Sequence, residues 1–421
     1  MKRTKLIFCR RALVLLAFFA SSTLGFSQGY RSFRYEREEI IRTAPYKIGP
    51  FRLFASFGLR DIGYDSNVYY EREDQGPTSD YTYAASLAVE MYYLFHNSVI
   101  ISLRENPEYV HYFEQKRERG WNNIFAPEIR VLLFNQFVLN GGYLNSKRRY
   151  RATSEFNSRV DEYREGFSGG LFYETARGTS LGISGSSTEI SYGDVQGVPA
   201  FSSLNRKELE GNLEVYYPLT SETYLFMRGG YSEYDFVEPL YKWRDAFSYQ
   251  VYSGIRFPLL GMIRGILSLG FKNLVPRRSG LKEFSGLVGN TSLDIRLLRF
   301  GFRFGFIRDS YFSYWSDSRY FIQNQWRAGV SFYPTRFLRI DYDFNTGRDS
   351  YPEDVTVVSP DGGLEQIKRY NRFRSHVAGV VVRIIRNTGL GVAVSYWDRE
   401  SNAYLQNRER FSWGGFLTYD F

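Results

Sequence analysis

Cysteine is almost missing from this 421-residue chain: Cys9 is the only one, and it precedes an apolar run near the N-terminus. Disulfides, thiolate metal sites and a cysteine nucleophile are thereby excluded from the rest of the chain. Histidine is nearly as scarce, with His96, His111 and His376 far apart. Nucleophilic catalysis needs a base within hydrogen-bond reach of its partner, so no catalytic residue is expected and the chain is not read as an enzyme. The Gly-Gly pairs at 141–142, 169–170, 229–230 and 414–415 fall inside strand-like stretches rather than before a helix. There glycine relieves crowding, and neither a cofactor nor a metal is expected. Also missing, after the first 27 residues, is any apolar run of the roughly 18 residues that a transmembrane helix needs.

The start of the chain, MKRTKLIFCRRALVLLAFFASSTLGFSQ, has a basic head, an apolar run from Ala12 to Ala20 and small residues at Gly25 and Ser27. That pattern predicts a secretory signal peptide over 1–27. The leader holds Lys2, Arg3, Lys5, Arg10 and Arg11 and no acid, so its removal lowers the formal charge from +9 to +4. The basic balance is thus partly a property of the leader. Nucleic-acid binding, which wants a clustered basic face, is not expected. What remains is an arginine bias, 41 Arg against 8 Lys beyond residue 27.

Aromatic residues are what the chain has in excess: 36 Phe and 35 Tyr. In RFGFRFGFIR, Phe300, Phe302, Phe304 and Phe306 occupy every second position, with Gly301, Arg303 and Gly305 between them. A period of two is that of a β-strand, whose successive side chains face opposite sides. GLGVAVSYW, ELEGNLEVYY and RFLRIDYDF repeat the pattern, with charges confined to one parity. One greasy and one polar face fit a soluble sandwich or a membrane barrel, and the connections decide between them. Tight turns recur at His96-Asn97, Asn135-Gln136, Arg177-Gly178, Leu219-Ser221, Leu260-Gly261, Leu298-Arg299, Pro334-Thr335 and Asn387-Thr388. Between them lie longer polar loops, such as Asp61 to Ser79, Gly193 to Ser203, Val237 to Trp243 and Tyr351 to Gln366.

Alternating short and long connections predict an all-β fold, a transmembrane up-and-down antiparallel β-barrel. The expected division is a signal peptide at 1–27, a periplasmic N-terminal segment at 28–50 and the barrel at 51–421. About 18 strands are expected, from 51–60 and 80–93 to 388–399 and 408–421, an even count typical of such barrels. Aromatic pairs beside the short turns, Tyr92-Tyr93, Tyr216-Tyr217 and Phe332-Tyr333, predict a girdle at the periplasmic interface. Residues 28–47 are expected to form either a disordered periplasmic tail or a short plug.

The inward parity names the candidate lumen. On strands ten to fifteen it carries Arg256, Arg264, Lys272, Arg296, Arg303, Arg327 and Arg339. The acidic set is Glu90, Glu128, Glu174, Glu210 and Glu214 on strands two to eight, with the pair Asp341 and Asp343 near the arginines. Basic and acidic arcs facing each other across the lumen are expected, and such charges set ion preference.

The opening, Gly49-Pro50-Phe51-Arg52 followed by Tyr64-Asp65-Ser66-Asn67-Val68 and a second alternating strand, resembles the β-barrel porin 2 family. The motif covers about a tenth of the chain. The resemblance implies an outer-membrane barrel, often found beside exopolysaccharide systems, with no established catalytic residues. The last stretch, ERFSWGGFLTYDF, places Phe411, Trp413, Leu417, Tyr419 and Phe421 on one parity. It resembles the C-terminal strand by which the barrel-assembly machinery recognises its substrates, although the glycine falls at Gly415 rather than at 416. The expected setting is the outer membrane of a Gram-negative bacterium, with lipid and lipopolysaccharide around the wall. The expected function is a porin-like channel for small polar or anionic solutes or a polysaccharide. The alternatives are an outer-membrane hydrolase with a rim site and a non-conducting adhesive or scaffolding barrel.

Overall fold

The computed structural model describes residues 32–421 apart from 152, 154, 157, 194–200, 221–222, 258–261, 316–317 and 386. The expected signal peptide, Ser221 of the Leu219-Ser221 turn, most of the Gly193 to Ser203 loop and the Leu260-Gly261 turn lie outside the described residues. The wall strands are β1 (Phe51–Asp65), β2 (Asp80–Phe95), β3 (Val99–Glu105 and Glu108–Tyr112), β4 (Gly120–Leu133), β5 (Phe137–Tyr150), β6 (Val160–Glu174), β7 (Ser180–Tyr192), β8 (Arg206–Pro218) and β9 (Tyr224–Phe236). They continue as β10 (Ala246–Phe257), β11 (Ile263–Pro276), β12 (Phe284–Leu297), β13 (Phe300–Phe312), β14 (Tyr320–Phe332), β15 (Leu338–Ser350), β16 (Tyr370–Ile385), β17 (Thr388–Ser401) and β18 (Arg408–Asp420). The sheet has 20 hydrogen-bonded segments. Tyr46–Ile48 merely extends the edge of β1, and the two halves of β3 are one strand broken at Asn106-Pro107. Eighteen wall strands remain, each antiparallel to its neighbours.

The sheet closes on itself. β1 pairs with β18 from Ser56↔Asp420 to Asp65↔Ser412, so no edge strand is left to bare its N–H and C=O groups. The strand count and the tight connections among the described residues fall where the alternation places them. One boundary differs. β1 does not stop near residue 60 but runs on to Asp65 through a bulge, with Asp61 at φ 55° and the register shifting between Leu59 and Ile62. A bulge inserts one residue and flips the parity of the residues after it, so the alternation of the sequence breaks there while the strand continues. Gly63 has no room for a side chain, because a Cβ would collide with the Trp413 carbonyl across the seam.

The outer parity is apolar and open. Phe300, Phe302 and Phe304 stand exposed at 43%, 41% and 47%, like Leu390 and Val392 on β17. Phe306 packs on Trp326 on the same face at 4.3 Å. Water would not tolerate such a continuous surface, whereas a bilayer core requires it. The aromatic girdle takes only half of each expected pair. Tyr93 and Phe51 meet outside at 4.9 Å, and Phe332 meets Phe300 at 5.0 Å. Tyr217 is exposed, while its neighbour Tyr216 is buried inside. Tyr92 packs against the inner cluster, and Tyr333 lines the lumen. Adjacent residues on a strand cannot share a face.

A charge on the outer parity is expected to cost far more than one inside. Phe304→Arg should lower stability by about 2–4 kcal/mol in urea unfolding from lipid vesicles, whereas Gln250→Arg on the inner face should change it by less than about 1 kcal/mol. Equal costs at the two positions would contradict the assignment of faces.

Candidate functional site

Inside the barrel, three features divide the lumen: a helix at the mouth on the short-turn side, ion pairs along the wall and an arginine-rich constriction towards the long loops. The helix α1, Phe33–Thr43, is amphipathic, with Phe33 and Ile40 seven residues apart on one face. Both bury against Leu94, Ile100, Leu132, Val138, Phe172 and Tyr216. These are inward residues near the short-turn ends of β2 to β8. The wall also caps the helix. Glu174 accepts hydrogen bonds from the Phe33 N–H at 2.9 Å and the Ser32 hydroxyl at 3.4 Å, a favourable place for a carboxylate at a helix N-terminus. Arg130 pairs with Glu36, and Arg34 and Arg37 donate to the carbonyls of Asn135 and His96 in two short turns. The helix thus occupies the β2–β9 side of the mouth.

The charges named from the inward parity all stand opposite to the exposed apolar residues of their strands. Most are held in local pairs rather than in facing arcs. Arg303 grips Asp343 with two hydrogen bonds of 2.9 and 2.8 Å. Arg327 approaches Asp343 at 3.4 Å, and Arg339 pairs with Asp341 at 2.7 Å. Gly329 leaves room for this knot, since a Cβ there would strike the Asp343 carboxylate. Lys272 meets Asp309 at 2.9 Å and Arg264 meets Asp294 at 3.3 Å. On the other side, Glu214 takes Arg228 at 3.0 Å and the Ser184 hydroxyl, while Glu90 faces Arg104 at 3.5 Å. Glu210 accepts from Asn212, and Glu128 and Arg256 face the lumen on their strands. The expected transverse field is therefore largely offset. Partners on the same strand or one or two strands away neutralise most of these charges, because unpaired charge near a low-dielectric wall is expensive.

The excess positive charge stands higher up, on residues that alternation did not single out. The described residues between β5 and β6, Glu155 and Phe156 above all, are buried inward rather than turned out into water. Phe156 packs on Phe201 at 4.4 Å and on Tyr314 at 5.6 Å. Glu155 is fully buried and accepts from the Ser313 hydroxyl, the Tyr351 hydroxyl and the Tyr314 N–H at 2.6, 2.6 and 3.1 Å. Burial pushes the Glu155 carboxyl up, against these donors. The two ends of this connection bring Arg151 and Arg159 into the lumen. Arg151 stacks on Trp397 at 4.0 Å and on Tyr70 at 4.7 Å. Burial pulls its guanidinium down to about 10, with repulsion from Arg410 opposing the favourable Tyr70, so it stays charged at neutral pH. Arg159 lies over the Tyr112 ring at 4.9 Å and reaches Asp65 at 3.5 Å.

Arg410 of β18 forks onto Asp65 with bonds of 2.8 and 2.7 Å and donates to the Tyr70 hydroxyl. Arg410 and Arg159 thus share Asp65 between them, while Arg151 joins them through the Tyr70 ring that it and Arg410 both contact. The Asp-x-Asn element of the opening motif builds this corner. Asn67 ties its side-chain N–H groups to the carbonyls of Glu71 and Glu409, locking the loop after β1 to β18.

A cavity of about 900 Å³ runs from this constriction to the short-turn end of β12 to β18. Its upper part follows β1 to β8, and its lower part follows β12 to β18, the side that α1 leaves free. Arg296, Arg299, Arg336 and Arg383 line the exit with Arg327, Arg339, Asp341 and Asp343. The histidines stand apart from it. His111 stacks on Tyr83 on the outer face at 4.9 Å, His376 bonds the Tyr342 hydroxyl among outward rings at 2.9 Å, and His96 lies in a short turn.

No protein-family model matches the sequence, and a search of curated proteins finds no match. Among solved structures, the chain is similar to OpdO of Pseudomonas aeruginosa, at 14% identity and a TM-score of 0.47, covering 88% of this chain and 97% of that one. It is similar to OpdK of Pseudomonas aeruginosa, crystallised with vanillate, at 11% identity and a TM-score of 0.49, covering 88% and 98%. It is also similar to the FrpB iron transporter of Neisseria meningitidis, at 9% identity and a TM-score of 0.42, covering 86% of this chain and 63% of that one.

Proposed function

We propose that this barrel is a channel in the outer membrane of a Gram-negative bacterium, selective for small polar solutes that carry a carboxylate or phosphate. The observation that carries the reading is the constriction, where Arg159 and Arg410 hold Asp65 and Arg151 stacks on Trp397 and Tyr70 beside them, at the head of a cavity lined by further arginines. Guanidinium is planar and weakly hydrated, and it binds carboxylate and phosphate in a fork. A row of such groups lets an anion pass from one partner to the next without regaining its full water shell. The same chemistry suits an acidic glycan, which gives the link to exopolysaccharide export suggested by the opening motif its physical content. The helix α1 narrows the exit and directs the path along β12 to β18.

A hydrolase with a rim site is the weaker reading, because His111 and His376 face outward and His96 lies in a periplasmic turn. A non-conducting scaffold is separated from a channel by conductance alone.

Three outcomes are expected. In planar bilayers under a salt gradient, the reversal potential should show preference for chloride over potassium, and Arg159→Glu should reduce or invert it. An unselective or silent wild-type protein would remove the proposal. Glu155→Ala strands three donors that now meet its carboxylate, at about 1–3 kcal/mol each. It should loosen the 151–159 connection and raise single-channel conductance, and unchanged conductance would show that this connection does not set the constriction. Deleting residues 32–44 should enlarge conductance while keeping the sign of the ion preference, and a reversed sign would place selectivity at the helix instead.

A further inference from the structure

The outward face of the wall is apolar over most of its height, and its charges begin near the long loops. On β13 the outward series Phe300, Phe302, Phe304 and Phe306 ends at Arg308. On β15 the series Leu338, Ile340, Tyr342 and Phe344 gives way to Thr346 and then Arg348. On β16, Val382, Val380 and Ala378 lead to His376, Arg374 and Arg372. The register sets these endings side by side, with Arg308 opposite Asn324, Asn324 opposite Arg348 and Arg348 opposite Arg372. Three guanidiniums thus stand in one lateral row across four strands, a span of roughly 14 Å. From Leu338 to Arg348 the chain rises about 34 Å along the strand. At the usual barrel tilt this matches an apolar band about 25 Å tall, so the row lies where hydrocarbon ends and headgroups begin.

Outward charges elsewhere near the long loops have partners of opposite sign. Lys207 meets Glu189 at 3.4 Å, and Arg277 meets Glu233 at 3.2 Å and Asp235 at 2.6 Å. Arg374 meets Asp398 at 2.9 Å and also pairs with Glu400. The row differs. Among the described residues, no carboxylate pairs with Arg308, Arg348 or Arg372. Arg308 donates to the Leu287 carbonyl at 2.9 Å and to the Asn324 side chain, both neutral. Arg348 and Arg372, both exposed, lie over the same Tyr370 ring at 4.5 and 5.6 Å. A shared ring holds two guanidiniums side by side without neutralising either. Glu400 stands across from Arg372, but Arg374 holds it.

We infer that Arg308, Arg348 and Arg372 form a docking site on the outside of the wall for the phosphorylated headgroup of a lipopolysaccharide molecule. In outer-membrane barrels the long loops lie outside the cell, so the row faces the outer leaflet, whose lipid is lipopolysaccharide. Charge complementarity selects the headgroup, because guanidinium forks onto phosphate. The surface next to the row selects the rest of the molecule. Trp326 packs on Phe306 at 4.3 Å, one outward position nearer the membrane centre, and gives acyl chains an apolar bed. A free phosphate ion gains nothing from that bed, so the lipid is the occupant. The inference rests on the outer-membrane reading of the barrel and is independent of whether the lumen conducts.

The probe is deep-rough lipopolysaccharide, with and without its lipid phosphates, added to the folded full-length mature protein in neutral detergent. Native mass spectrometry counts the bound molecules, and heat-modifiable gel migration checks folding. Removing the phosphates should weaken binding to the wild-type protein about tenfold or more. Arg348→Gln and Arg372→Gln should each weaken binding of the intact lipid about fivefold, and the double variant more than tenfold. Lys147→Gln, an outward lysine over the Tyr163 ring on β5, should change it less than twofold. The inference falls if phosphate removal leaves wild-type affinity unchanged, a comparison that decides even where a variant does not fold. It also falls if the folded double variant binds like the wild type, or if Lys147→Gln weakens binding as much. Inorganic phosphate bound as tightly as the lipid would make this a site for the free ion and overturn it too. Failure to insert into lipid vesicles would sink the membrane reading itself, whereas insertion without phosphate-dependent binding would sink the docking site alone.

Discussion

Everything in this molecule depends on the pairing of β1 with β18. Hydrocarbon offers no partner for a peptide N–H or C=O, so a sheet within a bilayer must consume its own edges. The seam does this at the cost of a bulge, which turns β1 to meet its partner and demands glycine where the Trp413 carbonyl approaches. Closure creates an inside, and the inside separates the two parities into two solvents. One face must be apolar, and the other is free to carry charge.

That freedom is used in two ways. Along the wall, charges are neutralised locally: Arg303 by Asp343, Lys272 by Asp309, Arg339 by Asp341 and Glu214 by Arg228. These pairs lie within a strand or reach across one or two strands, and they contribute little net field. Towards the outer loops the balance tips to positive, with Arg159 and Arg410 on Asp65, Arg151 beside them, and aromatic rings holding all three in place. Stacking on Trp397 and Tyr70 fixes Arg151 without quenching its charge. The net positive field of the lumen thus resides in the few charges that the wall does not neutralise.

The loops complete what the barrel begins. Phe156, Phe201, Phe236 and Tyr192 form a core of their own beneath the outer rim, and Phe321, Tyr351 and Val355 form another. These clusters let Glu155 and Phe156 turn inward against a loop's natural tendency to remain in water. At the opposite end, α1 is held by a cap that the wall supplies, Glu174, rather than by its own sequence. Both ends of the lumen are therefore shaped by segments outside the wall strands.

The alternation of side chains by itself determined the strand count, the turns, the two faces and the inward direction of residues such as Arg303 and Asp343. A strand must present a uniform face to lipid, so its period is written along the chain. The sequence did not determine which charges would pair, because pairing depends on register and on neighbours some 16 to 40 residues away, as in Arg327–Asp343 and Arg303–Asp343. Nor did it mark Arg151, Arg159 or Glu155, which lie in a connection with no period to read. A loop's direction is set by what it packs against, and Ser313, Tyr314 and Tyr351 come from distant parts of the chain. Local repetition was enough to specify the wall, whereas the constriction exists only once the ring has closed and brought those distant partners face to face.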